Sequence, residues 1–171
     1  MAQAGNPAAQ TPPAPTVTRP VNAPASAVWR VLCDGWSYAT WVVGASRVRD
    51  VDTNWPKEGS KVHHSFGPWP AVIQDFTRVE RSTPDAELVL TARGWPLGEA
   101  RVQIEIRPVD AEHCTVTITE DAVAGPGRLV PQPLRHLIII PRNKESLYRL
   151  AMIAEGRHRQ AMTPGAANPD V

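Results

Sequence analysis

A long run of two-residue alternation in the middle of the chain constrains the fold more than any other feature. Apolar and polar residues alternate in six consecutive segments, which predicts β-strands with one apolar face and one polar face. These predicted strands cover residues 46–51, 60–66, 71–80, 86–93, 99–107 and 114–122. Short segments rich in Gly, Pro, Asn or Asp separate them, and connections this short join antiparallel neighbours. The sequence therefore predicts a six-stranded antiparallel meander.

The segment before the meander predicts one more strand and two short helices. Residues 16–21 alternate and are rich in β-branched side chains, which favours a first strand. Apolar residues at helical spacing follow over 28–32, and Asp34-Gly35 is typical of a helix end. The aromatic segment 36–41 predicts a second short helix. The complete sheet is thus expected to have seven strands.

A sheet with a single apolar face needs a cover on that side only, and the C-terminal segment is predicted to supply it. We expect Asn143 to cap the start of a long helix, because residues 125–141 contain too many prolines for a regular one. An apolar stripe at i, i+3, i+4 and i+7 follows: Leu147, Leu150, Ala151 and Ala154. The predicted fold class is α+β, a curved seven-stranded antiparallel sheet wrapped around this helix.

Composition sets the limits of the folded region and its charge. Residues 1–15 are rich in Pro and Ala and are predicted to be a disordered tail, 16–160 a single domain, and 161–171 a flexible tail. The formal net charge of +1 argues against nucleic acid as a partner. Seven Lys or Arg against two Glu lie within 128–159. This basic stretch is either a solvated helix face or a site for an anionic partner or ligand headgroup.

Two cysteines, Cys33 and Cys114, are too few and too far apart for a zinc site or a disulfide framework. The N-terminal residues lack the basic start and apolar core of a secretory signal, and no apolar run is long enough to cross a bilayer. We therefore predict a cytoplasmic protein, a monomer or weak homodimer, with no cofactor, no metal and no stable membrane insertion.

The order of elements resembles the START-like, polyketide cyclase/dehydrase (SRPBCC) superfamily, whose shape is called a helix grip. The residues that carry the resemblance are the APASAVW segment at 23–29, the segment around Trp41, and DAVAGP at 121–126. The resemblance implies a cavity between sheet and terminal helix that binds lipids, sterols, polyketides or hormones. In some members it implies cyclisation or dehydration of a polyketide.

Strand parity brings several aromatic residues to one end of the sheet. The hairpins after the third and fifth strands, the exit of the seventh and the entry to the second all meet there. These segments contain five aromatic candidates for a pocket entrance: Trp36, Tyr38, Trp41, Trp69 and Trp95. The resemblance implies that the two hairpins act as gate and latch. The alternative is that Trp69 and Trp95 fill the end of the core.

Two polar residues are predicted on the inner face of the sheet. Glu120 shares parity with Val116 and Ile118, and His64 shares parity with Val62 and Phe66. A buried carboxylate must be paired or protonated, so Glu120 is a candidate for orienting a ligand or for general acid/base chemistry. His64 is a candidate partner for it, although a half-exposed Glu120 and a hydrogen-bonded core His64 are equally simple interpretations. The other predicted pocket residues are Phe66, Gln74, Ile104, Ile118, Arg128 and Leu147.

Three functions remain open from the sequence. The first is binding or transport of a small hydrophobic ligand, such as a lipid, a polyketide or an aromatic ring compound. The second is a polyketide cyclase or dehydratase that uses Glu120, with His64, for proton transfer. The third is an interaction module whose basic C-terminal helix docks an acidic partner through Arg142, Lys144, Arg149 and Arg157.

Overall fold

A computed structural model describes residues 14–67, 72–94 and 98–163. One antiparallel sheet contains all seven strands in the order β1-β7-β6-β5-β4-β3-β2. The strands are β1 (Thr16–Val21), β2 (Ala45–Val51), β3 (Lys61–Phe66), β4 (Ile73–Thr83), β5 (Glu87–Gly94), β6 (Gly98–Pro108) and β7 (Cys114–Ala124). The helices are α1 (Ala25–Cys33), α2 (Tyr38–Trp41) and α3 (Gln132–Met162). The predicted fold, with two short helices between the first two strands, is confirmed.

The two faces of the sheet differ as the alternation predicts. On the inner face Ile104, Ile106 and Val116 are buried in one core with residues of α1 and α3. On the outer face threonines pair across β1 and β7, where the hydroxyl oxygens of Thr18 and Thr117 lie 3.0 Å apart. Because β1 pairs with β7, the chain places its first strand beside its last and leaves β1 and β2 at the two edges.

Helix α3 begins at Gln132, so the predicted start at Asn143 is wrong. Pro131 lies at the N-cap position and Pro133 in the first turn, where the missing N–H has no helical partner to lose. Pro141 lies inside the helix, and its ring leaves the Leu137 carbonyl without an intrahelical donor. The helix continues through this defect because it loses one hydrogen bond there and keeps those on either side.

The two halves of α3 have different surroundings. From Asn143 onward the predicted apolar stripe is buried against α1 and β1, with Leu147, Leu150 and Ala154 almost fully enclosed. Before Pro141 the helix carries five large apolar residues alongside Arg135 and His136, yet Leu137 is 72% exposed and Leu134 and Ile138 are also exposed. The C-terminal half therefore anchors the helix, and the N-terminal half extends beyond the close-packed core.

No helix within these described ranges combines the length and the apolar composition needed to cross a bilayer.

Truncation of Leu150 is expected to destabilise the fold far more than truncation of Leu137. Leu150 is fully buried, so Leu150→Ala should lower the free energy of unfolding by about 2–5 kcal/mol. Leu137→Ala removes the same atoms from an exposed position of the same helix and should change it by less than about 0.5 kcal/mol. Urea unfolding of both variants measures the difference. Equal losses would contradict the division of α3 into an anchored and an unanchored half.

Candidate functional site

A change in side-chain size along the inner face of the sheet creates a hollow. Leu88, Ile104 and Ile118 lie opposite one another across β5, β6 and β7 and are buried in the core. Two residues further along each strand the row is Leu90, Val102 and Glu120. The next row consists of three alanines: Ala92, Ala100 and Ala122. Small side chains in this last row leave space between the sheet and the first half of α3.

The space is a cavity of about 490 Å³, within the range of small-molecule sites. The alanine row, with Ile73, Leu90, Val102 and Ile118, forms its sheet side. Val130, Ile138 and Ile139 close the opposite side, and Trp41, Val42 and Phe66 form one end. Gly67, Gly98 and Gly127 also line it, so both hairpins and the segment after β7 converge here, as strand parity predicts.

The structure describes the side chains of ten of the thirteen sequence-predicted site residues and places six of them in this cavity. These six are Tyr38, Trp41, His64, Phe66, Ile118 and Glu120. Ile104 and Leu147 are instead buried in the solid core. Trp69 and Trp95 lie outside the described residues, as does the side chain of Arg128.

Two further predicted site residues do not line the cavity: Trp36, predicted at its entrance, and Gln74, for which the predicted inward position is wrong. Trp36 is 61% exposed, because it is the middle residue of a 3₁₀ turn whose flanking Gly35 and Ser37 are the buried positions. Gln74 is exposed because the inner positions of β4 are Ile73 and Thr77. Gln74 instead lines a second, shallow hollow beside Phe76, and this hollow is separate from the cavity.

Three side chains form a buried hydrogen-bonded chain on the cavity wall. Thr77, directly opposite Ala92, has its hydroxyl oxygen 3.0 Å from both the Tyr38 hydroxyl and His64 Nε2. The Tyr38 and His64 rings stack with their centroids 5.2 Å apart. Burial lowers the pKa of His64 from its ordinary 6.5 and raises the pKa of Tyr38 to about 12. Both groups are therefore uncharged at neutral pH.

Glu120 is held by two donors from α3. The side chain is 4% exposed, and its carboxylate accepts hydrogen bonds from the Arg142 guanidinium and from Asn143 Nδ2, the latter at 3.1 Å. A buried carboxylate with a cation and an amide beside it is stabilised as an ion pair. Asn143, predicted as a helix cap, instead turns its side chain toward the sheet.

The predicted contact between Glu120 and His64 does not form, since their hydrogen bonds run to different partners. The two polar groups nevertheless lie at the same end of the cavity. Burial and the Thr77 hydrogen bond have the largest effects on the pKa of Tyr38. The charge of Arg142 lowers this pKa, and the charge of Glu120 raises it. Thr77 and Arg142 are therefore parts of the site that the sequence analysis missed. Thr77 sits at an inner strand position, which was the available signal.

Residues 14–155 match the family described as polyketide cyclase/dehydrase and lipid transport. The chain belongs to this family. No curated protein matches it.

Solved structures share the fold of this polyketide cyclase/dehydrase family member at low sequence identity. The Zhui aromatase/cyclase of a Streptomyces species is 18% identical, with a TM-score of 0.65 over 85% of this chain and 95% of that one. A START superfamily protein from Mycobacterium smegmatis is 18% identical, with a TM-score of 0.60 over 85% and 97%. A Thermobifida fusca protein is 24% identical, with a TM-score of 0.61 over 83% and 92%.

Across the described residues, no group of three or more His, Cys, Asp or Glu side chains could hold a metal ion. Cys33 is half-buried and Cys114 is buried, and burial raises the pKa of both thiols, that of Cys114 to about 11.

Lowering the pH below 6.5 is expected to destabilise this protein through His64. Because burial holds the pKa of folded His64 below 6.5, the unfolded chain takes up a proton in this range while the folded protein does not. The free energy of unfolding therefore falls as the pH drops from 6.5 toward the lower, folded pKa. His64→Gln removes this contribution, so urea unfolding at about pH 7.5 and about pH 5.5 should show a smaller difference than in the wild type.

The exposed His113 provides the control for this experiment, and His113→Gln should retain the decline. An unchanged decline in His64→Gln would show that another group is responsible.

Proposed function

We propose that the protein binds and carries a small hydrophobic ligand in the cavity between its sheet and α3. The observation that carries the proposal is the alanine row, which leaves about 490 Å³ between mainly apolar walls, whereas the neighbouring rows carry larger side chains. An apolar cavity with a few convergent polar groups is the usual form of a small-molecule site. The family description, which includes lipid transport, points in the same direction.

The hydrogen bonds among the polar groups at one end of the cavity also support ligand binding. Tyr38, Thr77 and His64 bond to one another, and Glu120 bonds to Arg142 and Asn143. These groups are held in place without a ligand, so a ligand would not have to order them. We propose that they orient one end of a molecule whose remaining surface contacts the apolar walls. A cytoplasmic location and a monomeric or weakly dimeric state stay predictions.

Mass spectrometry of organic extracts from purified native protein tests whether the cavity carries a ligand. We expect a stoichiometric apolar compound, and a higher melting temperature when the extracted compound, or matching members of a lipid and polyketide panel, are returned to stripped protein. A stripped protein whose melting temperature responds to none of these compounds would refute the proposal.

Filling the alanine row is expected to abolish binding while leaving the fold intact. Ala122→Phe places a ring in the cavity, and the loss of ligand-induced stabilisation should be nearly complete because the ring occupies the ligand's space. Val123→Phe adds a similar ring one residue further along β7, at an exposed position that does not line the cavity. Thermal shift with the extracted ligand compares the two variants. Equal binding by both would place the ligand elsewhere.

A second candidate function is proton-transfer catalysis of the polyketide cyclase or dehydratase type. The observation that favours it is a carboxylate, Glu120, and an uncharged imidazole, His64, on the wall of one cavity. Against it, the Glu120 carboxylate already accepts hydrogen bonds from Arg142 and Asn143, so a proton transfer to it would compete with these two contacts. We therefore propose ligand binding, and not catalysis, as the first candidate function.

Substitution of Glu120 separates the two candidates. If the protein is a cyclase that uses Glu120 as its acid or base, Glu120→Gln should lower turnover of a poly-β-ketone substrate by about a hundredfold or more and leave the circular dichroism spectrum unchanged. Product analysis by liquid chromatography measures this. Normal turnover by Glu120→Gln would exclude this residue, and absence of product with wild-type protein would leave binding as the function.

Docking of an acidic partner through α3 receives less support. Arg142 bonds to Glu120, Arg149 Nε lies 2.8 Å from a Glu145 oxygen, and an Arg157 nitrogen lies 2.9 Å from an Asp34 oxygen. Three of the four basic residues named for this role therefore already have carboxylate partners. What looks like a basic stretch in the sequence is largely neutralised in the fold.

A further inference from the structure

Every arginine in the described lining of the cavity has at least one carboxylate partner. The three arginines are Arg93, Arg135 and Arg142. Arg93 Nε lies 3.8 Å from a Glu99 oxygen and 4.0 Å from an Asp75 oxygen. An Arg135 terminal nitrogen lies 3.2 Å from Asp121, and Arg142 bonds to Glu120. No guanidinium among these residues is therefore without a carboxylate.

The remaining titratable groups of the described lining add no charge at neutral pH. Burial lowers the pKa of His64, which keeps the imidazole neutral, and the Tyr38 hydroxyl stays protonated because burial raises its pKa to about 12. The described lining thus offers no unpaired positive charge to a ligand. An anionic group entering the polar end would have to displace Glu120 from Arg142, or lie beside that carboxylate without a counter-ion. Both cost free energy in a water-poor site.

Two buried side-chain nitrogens of the described lining, Arg135 Nε and His64 Nδ1, have no hydrogen-bond partner among the described residues. Arg135 Nε is without a partner although the same guanidinium contacts Asp121 through a terminal nitrogen. A buried N–H without an acceptor is unfavourable, so an oxygen acceptor on a ligand would be stabilised there. Because Asp121 already balances the charge of Arg135, that acceptor does not need to be an anion.

We propose that the cavity selects neutral apolar molecules that carry an uncharged oxygen acceptor, such as a ketone, over carboxylates of the same size. This inference rests on the proposed binding function and specifies the ligand class for the same site. It follows from the pairing of Arg93, Arg135 and Arg142 with carboxylates.

A matched pair of fluorescent probes tests the selectivity. One probe is prodan, a neutral naphthyl ketone, and the other is the naphthoate in which a carboxylate replaces its propionyl group. Titration at about pH 8, where the naphthoate is fully ionised, gives a dissociation constant for each probe. We expect wild-type protein to bind the ketone about tenfold more tightly or better, and Ala122→Phe to bind neither.

Variants that unpair one arginine should reverse the preference. Glu120→Gln leaves Arg142 without its carboxylate, so the naphthoate should gain about tenfold or more in affinity relative to the ketone. The double variant Glu120→Gln/Arg142→Gln removes the unpaired charge again and should return to the wild-type ratio. Asp121→Asn unpairs Arg135 by a change at a side chain that is 51% exposed, so it tests the same effect without altering a buried residue.

The outcomes distinguish this inference from the proposed function. Tighter binding of the naphthoate by wild-type protein, or an unchanged ratio in both folded variants, would overturn the selectivity while leaving ligand binding intact. Failure of the folded wild-type protein to bind either probe would count against the proposed function, and the inference would fall with it. A ratio that moves toward the naphthoate in Glu120→Gln or Asp121→Asn, and returns in the double variant, supports it.

Discussion

The change in side-chain size along the inner face of β5, β6 and β7 determines where the core is solid and where a cavity remains. Where the rows contain Leu and Ile, sheet and helices close into a solid core that holds α3 by its C-terminal half. Where the row contains three alanines, the same sheet and helix cannot meet, and a cavity remains. Different rows of one sheet face therefore have different roles: the rows with Leu and Ile form the core, and the alanine row borders the cavity. A protein that filled the alanine row would lose the cavity and retain the core that folds it.

The main polar groups in the cavity are tolerable because they bond to partners from different elements, although Arg135 Nε and His64 Nδ1 have no partner among the described residues. Thr77 of β4 joins His64 of β3 to Tyr38 of α2, and Glu120 of β7 joins two residues of α3. An unpaired carboxylate or imidazolium at these positions would oppose folding. The hydrogen bonds thus do more than fix the side chains. They also tie α2 and α3 to the sheet at the edge of the cavity, where apolar packing is incomplete.

The sequence predicted the sheet well because period-two alternation survives in any antiparallel arrangement that has one wet face. It identified Glu120 and His64 as inner residues by the same parity, whereas Gln74, also predicted to line the pocket, lies on the outer face of β4. The hydrogen-bond partners of Glu120 and His64 could not be predicted from the sequence. Arg142 reaches Glu120 only because α3 continues through Pro141, and a proline-rich segment gives no local sign of that. The alanine row was visible as three separate residues, but only the register shows that they lie opposite one another.

Pro141 marks the boundary between the two environments of α3. On its C-terminal side lie Asn143 and the buried stripe, and on its N-terminal side lie the turns that cover the cavity with Ile138 and Ile139. A proline removes one i→i−4 hydrogen bond of the helix, so bending the helix at this point costs less free energy than bending it elsewhere. A tilt of the turns above the cavity would therefore leave the packing of the anchored half unchanged. Such a movement would need only a change of angle at Pro141 and no unfolding of the core.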